Sequence, residues 1–521
     1  MPRPVVVSGG RLLVAMLAVL LVLAGGCATP AAEPGGDVAR TARFLDAIRA
    51  DPARLHDFVR VLPKGGDLHN HLSGAASTET LIRFAVGDGL CIDTATLVAA
   101  PPPCAVNQRP ASDTVSDKSF FTQVLDGWSM QDFVGPQDFG PQSGHDHFFA
   151  AFAKFAAATS HKGAMLAEDA QKAAAEHEFY LETMLSRQSG AVAALAKQVG
   201  FDADLSQLRA RLLEGGAMDK IVTAARADTD ADMTQFRTVL HCDTAQADPA
   251  CTLPVRFLSQ VTRTQAPEAV FAQLLEGMEL AAHDPRYVGI NIVAPEDDPV
   301  ALRDYHLHME MIGYLHGLYP GVHISLHAGE LVPGLASPAD LRFHIRDAVT
   351  TAHAERIGHG VDVEGEDQPE ALMRAMATGH VLVEIALTSN RQILQVFGQR
   401  HPFPRYRQFG VPVTLVTDDE GIERTDLTRQ YEQAVTTYQV GYRDLMTMAR
   451  AALDHGFLQG ASLWRAPDDF RAGAACASDQ LGQPRPSQSC QRLLDASPKA
   501  AAEWKQEAAF TSFENQHSLA S

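Results

Sequence analysis

Two histidines, His69 and His71, stand two residues apart in "DLHNHL". In an extended strand, residues two apart project to the same side, so both imidazoles can grip one ion. The pattern alone is weak. The chain holds 21 histidines and repeats H-x-H at His145/His147 and His306/His308, which we read as a helix start and a helix surface. Further along, "GVHISLHAGE" ends an apolar run with His327 and, three residues on, Glu330. "RIGHG" supplies His359, and "LVTDDEG" supplies Asp418 and Asp419. Three histidines and one aspartate make a zinc shell with a position left for water. Zinc lowers the pKa of a bound water to about 7, which makes hydroxide available near neutral pH. That chemistry needs a proton carrier, a group to orient the nucleophile and an anchor for the substrate. Glu330, His359 and Asp419 stand where these are wanted. Taken singly, each has an ordinary reading: Glu330 beside a helix N-cap, His359 as a satisfied core histidine, Asp419 as a loop charge. Their shared position at the ends of successive strands argues for the joint reading.

Those strands can be read from eight short apolar, β-rich runs: "RVLPKGGDLH", "EFYLETML", "PVRFLSQV", "YVGINIV", "GVHISLH", "RIGHGVD", "HVLVEIAL" and "VPVTLV". Helical patterns such as "QPEALMRAMATG" separate the later ones. In the second half His327, His359, Glu384 and Asp418 follow one another at roughly thirty-residue steps, the length of a strand–helix unit. Eight such units predict a (β/α)8 TIM barrel of the α/β class over residues 41–465, with its chemistry after the strands. His327 would end the fifth strand and Asp418 the eighth, so that the first, fifth and eighth strands aim at one mouth. A long insertion or lid is expected at about 85–177, between the first and second strands, where "PPP" and the aromatic-rich "GWSMQDFVGPQDFG" occur. Residues 466–521 read as a C-terminal loop-and-helix appendage.

The chain begins with Arg3 and Arg11, an apolar core, and the exit "LAGGC" ending on Cys27, which reads as a secretory signal over 1–27. The exit resembles the lipobox of bacterial lipoproteins, which implies that Cys27 is lipidated and that Ala28 suits outer-membrane sorting. Residues 28–40 read as a flexible tether. The expected location is therefore the periplasm or cell envelope, with membrane contact only through this lipid anchor. The six remaining cysteines fall into close pairs, Cys91/Cys104, Cys242/Cys251 and Cys476/Cys490. In an exported chain they favour three local disulfides. The formal net charge of -20 repels phosphate backbones and argues against a nucleic-acid partner.

"DLHNHLSG", "SLHAGE", "RIGHG" and "VTLVTDDE" together resemble the signature segments of the adenosine deaminase family, within the amidohydrolase superfamily. The likeness runs from about 60 to 460, and "HPFPRYRQFGVPVTL" and "YVGINIVAPEDD" fit it more loosely. The resemblance implies a zinc barrel that replaces the 6-amino group of adenosine, or of a closely related 6-aminopurine nucleoside, by oxygen. It implies that His69, His71, His327 and Asp418 bind the ion, Glu330 protonates ring N1, His359 orients the nucleophile and Asp419 hydrogen-bonds N7. Superfamily members with two metals use a lysine at the end of the fourth strand. "YVGINIVAPE" has none, so one zinc per chain is expected. The chain departs from the family at three places. Ser73 stands where an acidic residue contacts the sugar 5'-hydroxyl, Ala294 where a glycine contacts substrate, and "EIALTSN" where a proline-containing segment is usual. Two alternatives stand beside this reading: another mononuclear amidohydrolase acting on a modified adenosine or other amine or amide, and a non-catalytic nucleoside-binding protein.

Overall fold

The computed structural model describes residues 36–136, 139–140 and 142–518. The signal segment, Cys27 and most of the tether lie outside the described residues. The last part of the expected tether is instead helical, because Gly36–Ile48 forms a helix whose Leu45 and Ile48 are buried.

Eight strands make one parallel sheet in chain order: β1 (Gly65–His71), β2 (Glu178–Leu185), β3 (Val255–Thr262), β4 (Tyr287–Val293), β5 (His323–Ala328), β6 (Arg356–His359), β7 (Leu382–Ile385) and β8 (Val413–Leu415). Each falls within or beside one of the eight runs expected from sequence. β1 starts later than its run, because a helix occupies Pro52–Arg60 and ends as the chain turns toward Pro63. The ring closes just past β8. Asp418 N–H donates to the His69 carbonyl at 2.9 Å, and Asn70 bridges Asp418 in parallel. Every residue of "YVGINIV" is buried, as a parallel strand covered on both faces requires. Helices such as Pro267–His283 and Pro299–Leu318 supply the outer layer, burying Phe271, Leu274, Tyr305 and Ile312.

Between β1 and β2 the chain first makes α1 (Leu72–Ala75) and a helix Thr78–Gly87. A small antiparallel sheet follows, built from Cys91–Asp93, Ala99–Ala100 and Gln108–Pro110 and closed by the Cys91–Cys104 disulfide. Then come α2 (Gly144–Phe155) and α3 (Lys162–Ala175). α3 packs on β2 and α1, so it belongs to the barrel's outer layer although it lies inside the stretch read as insertion. Past β8, α4 (Tyr442–His455) packs on β1, and the chain continues into a hairpin, Trp464–Ala466 with Asp469–Ala472, and two helices. Disulfides Cys242–Cys251 and Cys476–Cys490 close the other two expected loops. Among the described residues, no helix is long and apolar enough to cross a membrane.

Candidate active site

Period-two alternation aims His69 and His71 of β1 into the barrel, while Asn70 points outward to Asp169 at 3.3 Å. His327 reaches the same point from β5. Its Nε2 lies 3.0 Å from Nε2 of His69 and 3.2 Å from Nε2 of His71. Asp418 Oδ1 sits 3.5 Å and 3.3 Å from the same two β1 nitrogens. Asp418 lies three residues beyond β8, with φ at +70°, a left-handed backbone conformation that is uncommon outside glycine. All four side chains are buried.

Hydrogen-bond direction shows what this cluster can hold. Asn291 Oδ1 accepts the backbone N–H of His327 and therefore also accepts its Nδ1–H, at 2.8 Å. Nδ1 of His69 faces Glu384 Oε2 at 2.7 Å, and Nδ1 of His71 faces Gln260 Oε1 at 3.3 Å. With each Nδ1 donating outward, the three Nε2 atoms turn lone pairs toward one another and toward a carboxylate. Lone pairs packed this closely repel unless a cation lies among them, so the residues fit a zinc ion. Electrostatics point the same way. Burial pushes the His69 imidazole down, but Asp418 and Glu384 outweigh it and raise it to about 10, so without a metal ion this ring would itself have to carry the positive charge. Burial and the neighbouring rings push His327 well below its ordinary value. The site calls for positive charge, and His327 keeps its lone pair free.

Glu330 follows the turn at Gly329. Burial, then the charges of Asp418 and Glu296, hold its carboxyl well above the usual range, which favours the protonated form. Glu296 accepts the backbone N–H groups of Gly329 and Glu330 at 3.1 and 2.8 Å, and His344 Nδ1 lies 2.6 Å from it, which pins the turn. His359 ends β6 with φ at +68°. Its Nε2 has no hydrogen-bond partner and lies 3.8 Å from Glu330 and 3.9 Å from Asp418. Burial pushes this imidazole down to about 4. Asp419 is raised to about 8 by burial, against the charge of His71 and with that of Asp418, and its Oδ1 has no partner. A neutral carboxyl of this kind can donate a hydrogen bond.

A cavity of about 390 Å³ opens over the cluster, lined by His71, His327, Glu330, Asp418 and Asp419. Its size is ordinary for a small-molecule site. Phe148, Phe149 and Phe152 of α2 roof it, and α2 is held down by His145, whose Nε2 lies 3.0 Å from Asp297 Oδ1. His145 therefore does more than begin a helix. His308, expected on a helix surface, is 1% exposed, because its helix turns that face toward the barrel. Ala294 lines the cavity with φ at +81°, where glycine would fit without strain. Ser73, named as a sugar contact, is half-buried on α1 and is not among the described residues lining the cavity.

Sequence reading missed the partners behind the ligands. Asn291, Gln260 and Glu296 sit on or just after other strands, so only the closed barrel brings them near. Glu384 served as a spacing landmark, but its work is to hold His69. Behind it Arg356, fully buried, pairs with Glu384 and Glu182 at 2.6 Å each. One signal was available: glycines inside the motifs. A Cβ at Gly358 would lie 2.5 Å from His69, and one at Gly74 would lie 1.6 Å from Asp419 Oδ1.

Residues 220–463 match the family described as adenosine deaminase. An adenine deaminase of Rhizobium rhizogenes is 33% identical over 145 residues, 27% of this chain and 41% of the relative. An adenosine deaminase of Vibrio atlanticus is 28% identical over 144 residues, 27% of this chain and 40% of the relative. The match thus spans about two-fifths of these relatives' length. The crystal structure of an Arabidopsis N6-mAMP deaminase aligns at TM-score 0.51 with 21% identity, covering 77% of this chain and 96% of that one, which shows a shared fold.

Proposed function

We infer, from the premise that the chain belongs to the adenosine deaminase family, that it hydrolytically deaminates a 6-aminopurine nucleoside with one zinc ion per chain. The observation that carries this reading is the convergence of His69, His71, His327 and Asp418 beneath a cavity edged by two carboxyls, Glu330 and Asp419, whose burial raises them above their usual range. Bound there, zinc would make a water acidic enough to attack at neutral pH. Glu330 gives a proton to ring N1, which drains electron density from C6. His359 orients the attacking oxygen, and Asp419, protonated, donates to N7. Oxygen bonds to C6, the C6–N bond breaks, and ammonia leaves. The two protons of water account for the N1–H of the product and the third N–H of ammonia.

A nucleoside fits better than a nucleotide, since no lysine or arginine is among the described residues lining the cavity. The aromatic roof, and a serine at 73 in place of an acidic residue, favour adenosine or a 5'-modified form of it. Three disulfides agree with export, and we place the protein in the cell envelope, anchored through Cys27.

The test measures zinc content and adenosine-to-inosine conversion on the same preparations of wild type and Glu330→Gln. The variant should keep its zinc and lose turnover toward or beyond the upper end of the roughly 10²–10⁴-fold range of general acid–base groups. A variant that keeps zinc and still turns over within about tenfold of wild type would remove Glu330 as the proton carrier.

A further inference from the structure

The segments "LTSN" and "HPFPRY" hold two buried polar residues, Asn390 and His401, that the proposed reaction leaves without a role. They form a chain of hydrogen bonds whose direction is fixed at its far end. The backbone N–H of Phe403 can only donate, and it donates to His401 Nδ1 at 3.1 Å. Neutral His401 must then carry its proton on Nε2, which lies 3.0 Å from Asn390 Oδ1. Burial pushes the His401 imidazole down to about 3, so the ring is neutral at physiological pH.

The asymmetry passes along the chain. Because Asn390 Oδ1 accepts from His401, its amide NH2 faces the other way, toward His359 Nδ1 at 3.0 Å. Flipping the amide would set NH2 against the Nε2–H of His401, donor against donor. An amide NH2 can only donate, so Nδ1 of His359 accepts. The proton of neutral His359 therefore resides on Nε2, the nitrogen turned toward Glu330 and Asp418.

We propose that Asn390 and His401 are positioning residues that lock His359 in its Nε2–H tautomer, making it a hydrogen-bond donor to the attacking oxygen. A ring already protonated at Nε2 cannot take a proton from water at that atom. His359 thus steadies the nucleophile and does not act as its base. This rests on the deaminase reading for the identity of the attacking oxygen, while the tautomer itself stands apart from it.

The test is a long-range ¹H–¹⁵N spectrum of histidine-labelled, zinc-loaded protein, with His359 assigned by His359→Gln. Wild type should show His359 protonated at Nε2 and bare at Nδ1. Asn390→Asp, isosteric but without a donor, should move a proton onto Nδ1. Its kcat per zinc should fall by about 10–100-fold, the usual cost of losing an outer partner, with KM little changed. His401→Gln, which restores a donor toward Asn390, should recover most of what His401→Leu loses. A wild-type His359 protonated at Nδ1, or a tautomer unchanged in Asn390→Asp, overturns the proposal. Should Asn390→Asp fail to fold, the wild-type spectrum decides alone. A wild type with the Nε2–H tautomer that turns over no 6-aminopurine would instead sink the deaminase reading and leave the relay standing.

Discussion

At the C-terminal mouth of the barrel, ligand atoms of His69, His71, His327 and Asp418 lie within 4.8 Å of one another. Beneath the opposite end, Asp454, His455 and Asp468 lie just as close, beside a larger cavity of about 930 Å³ among the first residues of the strands. By residue type and distance the two clusters are alike. Their hydrogens differ. At the lower cluster His455 Nε2 and His380 Nδ1 each donate to one oxygen of Asp468, at 2.9 and 2.8 Å. Asp454 accepts from Ser462 Oγ and from the backbone N–H of Asp468. Each acidic oxygen has its donor, and nothing is left to bind. At the mouth every Nδ1 is engaged outward, and the lone pairs are left facing inward. Proximity of ligand-type residues does not make a metal site; the direction in which their protons are held does.

The largest effect separates the two clusters directly. His327→Ala should lose zinc and turnover together, whereas His455→Ala should keep one zinc per chain and wild-type kcat. Elemental analysis of the two dialysed proteins checks this. Two metals in wild type, or a metal lost with His455, would erase the distinction drawn here.

A smaller effect tests how tightly the mouth is held. Gly358→Ala drives a methyl against Cε1 and Nδ1 of His69, crowding the side of the ring that Glu384 holds. Zinc affinity, read by competition with a chelator, should fall about 10–100-fold, as for loss of an outer partner. Gly74→Ala presses on Asp419 instead, and should raise KM for adenosine while zinc stays bound. If Gly358→Ala binds zinc as wild type does, His69 is free to move and the mouth is less pre-set than its geometry says.

These glycines also mark how far the sequence could be read. The eight strands were legible because barrel strands are continuous apolar runs, and the ligands because they follow those runs at even spacing. Asn291, Gln260 and Asn390 were not, since an amide in a strand or short helix has no pattern until the barrel closes and supplies its partner. Asp418 was placed at the end of a strand, but it lies three residues past β8 and turns inward only through its left-handed backbone. His308 was read as surface because a single histidine on a helix carries no sign of which face it occupies. The lower cluster joins Asp454 and His455 of α4 to Asp468 in the turn of the later hairpin, and no motif announced it.

The smallest effect concerns the lower cluster itself, whose contribution should be to stability. Burial would push the Asp468 carboxyl up, but hydrogen bonds and charges from His455 and His380 outweigh it and hold it below its ordinary value. A carboxyl depressed in the folded state binds its proton more weakly there than in the unfolded chain. Its contribution is therefore complete above the unfolded value near 3.9 and fades as pH falls through the lower folded value. Asp468→Asn should cost about 1 kcal/mol near neutral pH, the scale of one net hydrogen bond. The deficit should shrink as pH is lowered from about 5 toward about 2, where wild type too becomes uncharged at this position. Urea titrations of both proteins across that range provide the measurement. A deficit that stays constant with pH would mean that Asp468 acts by packing. A variant that loses zinc would mean that the lower cluster binds metal after all, and that proton direction is not what distinguishes the two ends.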